Sequence, residues 1–202
     1  MSLIPAFELD IWNAWIFFVL HQGGTSVVLQ LMYRGVWKDV WDVWKKPSKD
    51  YDDISSNKTD RRLKYIGYFW MFVVVGYTVF LPLKLNTVWF YVGLFIYLLG
   101  VIIDFMASVS WATNPLDKPI TTGIYSISRH PMDFGNFVAI VGTGIACASW
   151  VYLLLGIVMF PLMNMNAVTE ERFCLQQFGN AYREYMNRTP RWIGFPKSKK
   201  ND

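Results

Sequence analysis

The apolar positions of the chain gather into long blocks divided by short polar and basic stretches. A membrane-crossing helix needs about 20 mainly apolar residues to traverse a hydrocarbon core of about 30 Å, and residues 9–33, 65–83 and 88–111 each meet that requirement. Two shorter blocks, 134–148 and 150–166, are separated only by Ser149 and predict a tight helical hairpin. The pattern predicts an all-α polytopic membrane protein with about five transmembrane helices, built as one integral membrane domain over residues 1–202. Polar residues interrupt the blocks in two places: the run from His21 through Gln22, Gly23, Gly24 and Thr25 to Ser26, and Asp104 with Ser108 in the third block. Between the first two blocks, Val36, Trp37, Val40, Trp41, Val43 and Trp44 recur at three- and four-residue spacing opposite Lys38, Asp39, Asp42 and Lys45. That is the pattern of an amphipathic helix lying in the membrane interface. No basic stretch precedes the first block and no small-residue cleavage site follows it, so it reads as a retained span and not a signal peptide.

Composition agrees with the pattern. A chain of 202 residues that is 53% hydrophobic and 18% aromatic, with only 17% charged residues, has more large rings than one soluble core of this size can bury. The same apolar content excludes disorder. A net charge of +4 raises the question of a nucleic-acid partner, and the positions of the basic residues answer it. Nine Lys and Arg lie between the first and second blocks, two between the third and fourth and seven after the fifth, leaving only Lys84 on the other side. The positive-inside rule then places the N-terminus outside and the C-terminus in the cytosol, in a plasma or inner membrane or the endoplasmic reticulum according to the organism. The basic excess faces anionic head groups, and nucleic acid is not an expected partner. Two cysteines, Cys147 and Cys174, are too few for a disulfide framework, and with two His they lie at no zinc-ligand spacing, so no metal is expected.

Candidate chemistry concentrates at the cytosolic end. Gly123-Ile124-Tyr125 precedes Arg129-His130-Pro131-Met132-Asp133; after the hairpin come Asn164, Asn166, Glu170 and Glu171, then Phe178-Gly179-Asn180-Ala181-Tyr182-Arg183-Glu184-Tyr185. The hairpin must return both ends to one membrane face, which brings Arg129, His130 and Asp133 near Asn166, Glu170 and Glu171. Each residue also has a plainer reading. His130 could simply start a helix ahead of Pro131, Thr169 could cap a solvated helix carrying the two acids, and Arg129 could snorkel to head groups. Phe178, Tyr182 and Tyr185 at helical spacing predict a cytosolic C-terminal helix with its apolar face on the membrane. Asp104, an acid inside a span, is either functional or paired with His21 or Gln22. Gly23 and Gly24 could mark close helix packing.

These four elements in this order around a membrane hairpin resemble the integral-membrane methyltransferases that include isoprenylcysteine carboxyl methyltransferase and the phospholipid methyltransferases. The likeness runs over about residues 121–195. It implies a cofactor region over about 114–133 and 164–192 that holds S-adenosylmethionine against Pro119, Ile120, Tyr125, His130, Pro131, Met132, Asp133 and Glu170. It further implies that Glu170, Arg129 and Asp133 act at the catalytic centre, with Asn166 and Asp104 toward the substrate. The cofactor's positive groups call for a carboxylate and its base for an aromatic wall, which Glu170 and Tyr125 supply. Two positions depart from the family pattern: Asp133 stands where a Tyr is usual, and Asn166 stands where carboxyl methyltransferases carry an Arg that engages the substrate carboxylate. The expected partners are therefore membrane lipids and a lipophilic methyl acceptor, with an amine or other heteroatom favoured over a carboxylate. The rival readings are carboxyl methylation of the isoprenylcysteine type, an NADPH-dependent membrane reductase related to the sterol reductases, and a non-catalytic membrane protein.

Overall fold

The structure is a computed structural model that describes residues 3, 7–32, 58–114 and 117–194. The interfacial helix expected around residues 36–45 lies outside them. Among the described residues the chain is all-helical: α1 (Trp15–Met32), α2 (Lys58–Tyr77), α3 (Val88–Thr113), α4 (Pro131–Ala146), α5 (Trp150–Phe178) and α6 (Asn180–Arg188), with short 3-10 turns at Thr78–Phe80 and Gly123–Ser126.

Three stretches are long and apolar enough to cross a membrane: Arg61–Phe80, Val88–Thr113 and Trp150–Phe178, with mean hydropathies of 1.4, 2.2 and 1.8. The other two expected spans are helices of a different character. Helix α1 carries the polar run His21–Ser26, and α4 has 16 residues, about 24 Å at 1.5 Å per residue. The molecule is apolar outward and polar inward. Phe72 and Val88 are 75% and 76% exposed, whereas His21, Asp104 and Ser108 are buried. That inversion suits a hydrocarbon solvent, in which polar groups must find partners inside the protein.

The tightest packing is between α3 and α4. A Cβ on Gly135 would fall 2.7 Å from the backbone nitrogen of Asp104, and one on Gly93, Gly100 or Gly142 would strike the backbone at Ala146, Ala139 or Tyr97. Gly93 and Gly100, like Gly135 and Gly142, stand seven residues apart, so two turns of each helix present the same bare face. Gly23 and Gly24, by contrast, are exposed, and a Cβ on either would meet nothing within 4 Å, so the close packing expected there is found on α3 and α4 instead.

Helix α4 begins with Pro131 at a first-turn position, where its missing N–H costs nothing. It ends in the expected tight turn. Ala148 takes a left-handed φ of 50°, and Ser149 accepts a hydrogen bond from the Tyr152 N–H at 3.2 Å to cap α5. Helix α5 then runs 29 residues, past Pro161 and three turns beyond the expected end at residue 166. No helix starts at Thr169. Its hydroxyl bonds the Met165 carbonyl at 3.3 Å in mid-helix, so Glu170 and Glu171 ride on the extension of a span and not on a separate capped helix.

Replacing Gly142 by Leu is expected to destabilise the detergent-purified protein by about 3 kcal/mol or to prevent its folding, because backbone cannot yield as a side chain does. Gly24→Leu should leave the melting temperature nearly unchanged. Thermal unfolding of the two variants followed by intrinsic fluorescence checks the contrast.

Candidate functional site

Two segments far apart in sequence are clipped together at the polar end of the helices. The Arg129 N–H donates to the Pro190 and Arg191 carbonyls at 3.1 and 3.2 Å, the His130 N–H to the Arg191 carbonyl at 3.2 Å, and the Gly194 N–H to the Ile127 carbonyl at 3.1 Å. The Tyr185 hydroxyl donates to the Tyr125 carbonyl at 2.7 Å. Gly123, at φ 62°, makes the turn that brings this segment against α3, where a Cβ would meet Ser110 Oγ at 3.0 Å. Tyr182 and Tyr185 are buried, so the aromatic face of α6 packs on this segment and not on lipid as its helical spacing suggested.

Glu171 is the hub. Its buried carboxylate accepts a bidentate pair from Arg191, Nε to Oε1 at 2.9 Å and Nη2 to Oε2 at 2.7 Å, and Arg129 Nη2 reaches Oε1 at 2.9 Å. Arg191 Nη1 also donates to Asn164 Oδ1 at 3.1 Å. Arg129 is thus engaged inside the protein, with Nη1 on the Met186 carbonyl at 3.0 Å, and does not snorkel. His130 lies between the two acids: Nδ1 is 3.5 Å from Glu170 Oε2 and 3.9 Å from Asp133 Oδ2, and Nε2 is 3.4 Å from Glu171 Oε1. Nε2 is within ion-pair reach of Glu171 but lacks an aligned hydrogen bond. Burial alone would lower the His130 pKa; the contacts to Glu170 and Glu171 overcome it and raise it to about 9. Asp133, half-buried beside Glu170, is pushed up to about 6 by desolvation first and by that neighbouring charge second.

Adjacent residues on a helix point about 100° apart, and this separates the paired glutamates. The Glu171 side chain is 4% exposed and locked in the hub, whereas Glu170 is 50% exposed and opens onto two cavities. One, of about 350 Å³, lies within the polar end. Every residue expected at the cofactor lines it: Pro119, Ile120, Tyr125, His130, Pro131, Met132, Asp133 and Glu170, with Lys118, Arg129, Cys174, Phe178, Tyr182 and Tyr185. The other, of about 380 Å³, extends among α1, α2, α4 and α5 and is lined by Asn166, His21, Gln22, Lys64, Tyr68, Met71, Asn136 and Met163 among others. Asp133 and Glu170 line both cavities and form the junction between them.

Asp104 lines neither cavity. It stands behind the second, its Oδ2 3.0 Å from His21 Nε2 and its Oδ1 accepting from Asn136 Nδ2 at 3.2 Å. The intramembrane acid is therefore paired with His21. Ligand atoms of His130, Asp133 and Glu170 lie within 4.8 Å of one another, a spacing that could hold a cation. A metal there would compete with the proton that Glu170 and Glu171 favour on His130. Sequence reasoning did not single out Arg191, which it counted with the basic tail; the signal available was that two buried-end acids need cations beyond Arg129.

The fold and site define an all-helical integral membrane protein whose charged end encloses a cofactor-sized cavity that opens onto a second, deeper one. A family model described as phospholipid methyltransferase matches residues 83–181. Among curated proteins, the chain is 32% identical over 75 residues to the protein-S-isoprenylcysteine O-methyltransferase of Schizosaccharomyces pombe, a stretch covering 37% of this chain and 32% of that one. It is 31% identical over 78 residues to the protein of the same name from Dictyostelium discoideum, covering 38% and 32%. To the nickel-cobalt-cadmium resistance protein NccN of Alcaligenes xylosoxydans xylosoxydans it is 35% identical over 78 residues, covering 39% and 36%. The chain spans about a third of the length of the curated relatives it matches. Over residues 83–181, just under half of its length, the chain resembles the integral-membrane methyltransferases.

Two outcomes follow from the hub. Arg191→Ala takes from Glu171 one of its two guanidinium partners and is expected to cost about 2–3 kcal/mol by thermal unfolding. The folded pKa of His130 lies above its unfolded value of 6.5, so its contribution to stability is complete below about pH 6.5 and is lost as pH rises through about 9. The melting temperature should fall across that interval, and His130→Gln should flatten the decline.

Proposed function

We propose that the chain is a membrane-embedded methyltransferase that moves the methyl group of S-adenosylmethionine to a heteroatom of a lipid or small lipophilic acceptor. The observation that carries this reading is the shared wall of Asp133 and Glu170 between a polar-end cavity and a membrane-depth one. S-Adenosylmethionine supplies an electrophilic methyl on a sulfonium. The residues of the first cavity fit it. Glu170 and Asp133 offer the negative wall that a sulfonium and an ammonium call for, and the charged His130 suits a carboxylate. Tyr125 gives an aromatic surface, and Pro119, Ile120, Pro131 and Met132 give apolar contact. Arg129 acts through Glu171, holding His130 at its position.

Methyl transfer depends mainly on aligning nucleophile, methyl carbon and sulfur, so the protein contributes chiefly proximity and orientation. Asn166 and the apolar side chains of the second cavity would hold the acceptor with its heteroatom just inside that cavity, facing the junction. An acidic junction suits an amine or other neutral acceptor, and phospholipid amines fall in that class. Carboxyl methylation is the second reading, favoured by the printed name of two relatives and by Lys64, a cation that lines the acceptor cavity. In this proposal α1 and α4 complete a five-span topology with the N-terminus outside and the cofactor region and α6 on the cytosolic face. The cofactor region, 114–133 and 164–192, and the spans form a single domain.

Calorimetry with detergent-purified protein should give saturable binding of S-adenosylhomocysteine and none of NADPH. Glu170→Ala is expected to weaken that binding at least tenfold, which is about 1.4 kcal/mol. Binding of NADPH alone would overturn the proposal in favour of a reductase, and binding of neither would favour a non-catalytic protein. Labelled S-adenosylmethionine added to native membranes then identifies the methylated product.

A further inference from the structure

The acceptor cavity is lined by a histidine that the reading above does not use. His21, on α1, is buried at membrane depth, and its Nε2 is 3.0 Å from Asp104 Oδ2 on α3. A carboxylate can only accept, so the imidazole proton on that side sits on Nε2. The other carboxylate oxygen accepts from Asn136 Nδ2 at 3.2 Å, and Asn136 Oδ1 accepts in turn from Gln22 Nε2 at 3.3 Å. The Tyr97 ring stands edge-on to the imidazole, with centroids 6.2 Å apart. Acid, amide and ring fix both the tautomer and the orientation of His21. Nδ1 remains as its acceptor nitrogen. Asn136 follows Asp133 by three residues on α4, so this assembly lies about one helical turn, roughly 5 Å, deeper than the junction.

A His–Asp pair is costly at this depth, where a titratable side chain is functional by default. We propose that His21 is the general base of the acceptor site, with Asp104 as its positioning residue, and that the acceptor therefore presents a protic nucleophile, an amphiphile bearing a hydroxyl, thiol or amine. This rests on the methyltransferase reading above and narrows it, because a carboxylate acceptor carries no proton to remove. As the acceptor heteroatom bonds to the methyl carbon, the carbon–sulfur bond of the donor breaks and its electron pair stays on sulfur as a neutral thioether. The heteroatom's proton passes to His21 Nδ1, and the resulting imidazolium keeps its Nε2–H on the Asp104 carboxylate. The charged and titratable groups around His21 are Asp104 and Tyr97 from α3, Asp133 from α4, Lys64 from α2 and Glu170 from α5, the last three across the cavity.

The chain has only two histidines, His21 and His130, so nitrogen NMR of the ¹⁵N-histidine protein in detergent resolves both. His21 should show a protonated Nε2 and a bare Nδ1, and Asp104→Asn should mix the tautomers. A His21 that carries its proton on Nδ1 overturns the proposal without any turnover being measured. Labelled methyl transfer is then compared for phosphatidylethanolamine vesicles, a long-chain phenol and N-acetyl-S-farnesylcysteine, in wild type, His21→Gln and His21→Ala. The expected result is transfer to a protic probe, with kcat lowered about 10²-fold in His21→Gln. KM and S-adenosylhomocysteine affinity should stay within about twofold, and imidazole should partly rescue His21→Ala. Wild-type kcat and an unchanged pH profile in His21→Gln, or transfer to the farnesylcysteine carboxylate alone, overturns the dyad. A wild-type protein that does not bind S-adenosylhomocysteine overturns the reading beneath it instead.

Discussion

Everything at the polar end of this molecule depends on how closely α3 and α4 approach. Where Gly93, Gly100, Gly135 and Gly142 meet the facing backbone, the two helices are fixed in register, because bare backbone faces leave no side chains to repack. In hydrocarbon no hydrophobic effect drives helices together, so dispersion and hydrogen bonds across such seams carry the association. The register places Asn136 of α4 beside Asp104 of α3, and it sets where the first turn of α4, with Pro131 and Asp133, comes to lie. The short helix can be short because its partner is long. Helix α3 spans 26 residues and α4 leans on it for its whole length.

A second constraint is electrostatic. One buried carboxylate, Glu171, gathers two guanidinium groups and an imidazole from two separate segments. Removing any one partner would leave charge uncompensated in a site that water scarcely reaches, and this ties the segment before α4 to the one after α6. The consequence for chemistry is indirect. With Glu171 occupied by structure, its neighbour Glu170 is left free of arginine and faces the cavities, and His130 is presented to them as a fixed cation.

Much of this was legible in the sequence, for physical reasons that can be named. The helices announce themselves because a lipid-facing helix must be apolar all round, and the hairpin because Ser149 both separates two apolar runs and caps the second. Arg129, His130, Asp133 and Glu170 could be expected together because a tight hairpin returns its ends to one face, and they do line one cavity, with Tyr125. The failures are equally specific. Glycine pairs mark close packing only when a partner helix is opposite, which separates Gly135 and Gly142 from Gly23 and Gly24, and nothing in one helix's sequence says what stands opposite. The length of α5 was underestimated because polar residues end a span without ending a helix. Arg191 was invisible because a basic tail looks alike whether its side chains reach solvent or turn inward to an acid. Tyr182 and Tyr185 sit at a spacing that predicts a buried face correctly but cannot choose between lipid and protein as its cover.

The wall that the two cavities share also links their occupants. Binding at one side of Asp133 and Glu170 alters the field felt at the other, and such coupling is reciprocal by thermodynamic necessity. In the proposed reaction, a cation seated in the outer cavity screens the pair, so that an acceptor approaching from the bilayer meets a nearly neutral junction. Once the methyl has moved, the outer ligand has lost its sulfonium charge and keeps only its ammonium on that wall, so the two carboxylates hold it less tightly than before. The same two side chains would thus favour entry before the reaction and exit after it, giving the cycle a direction without any moving lid.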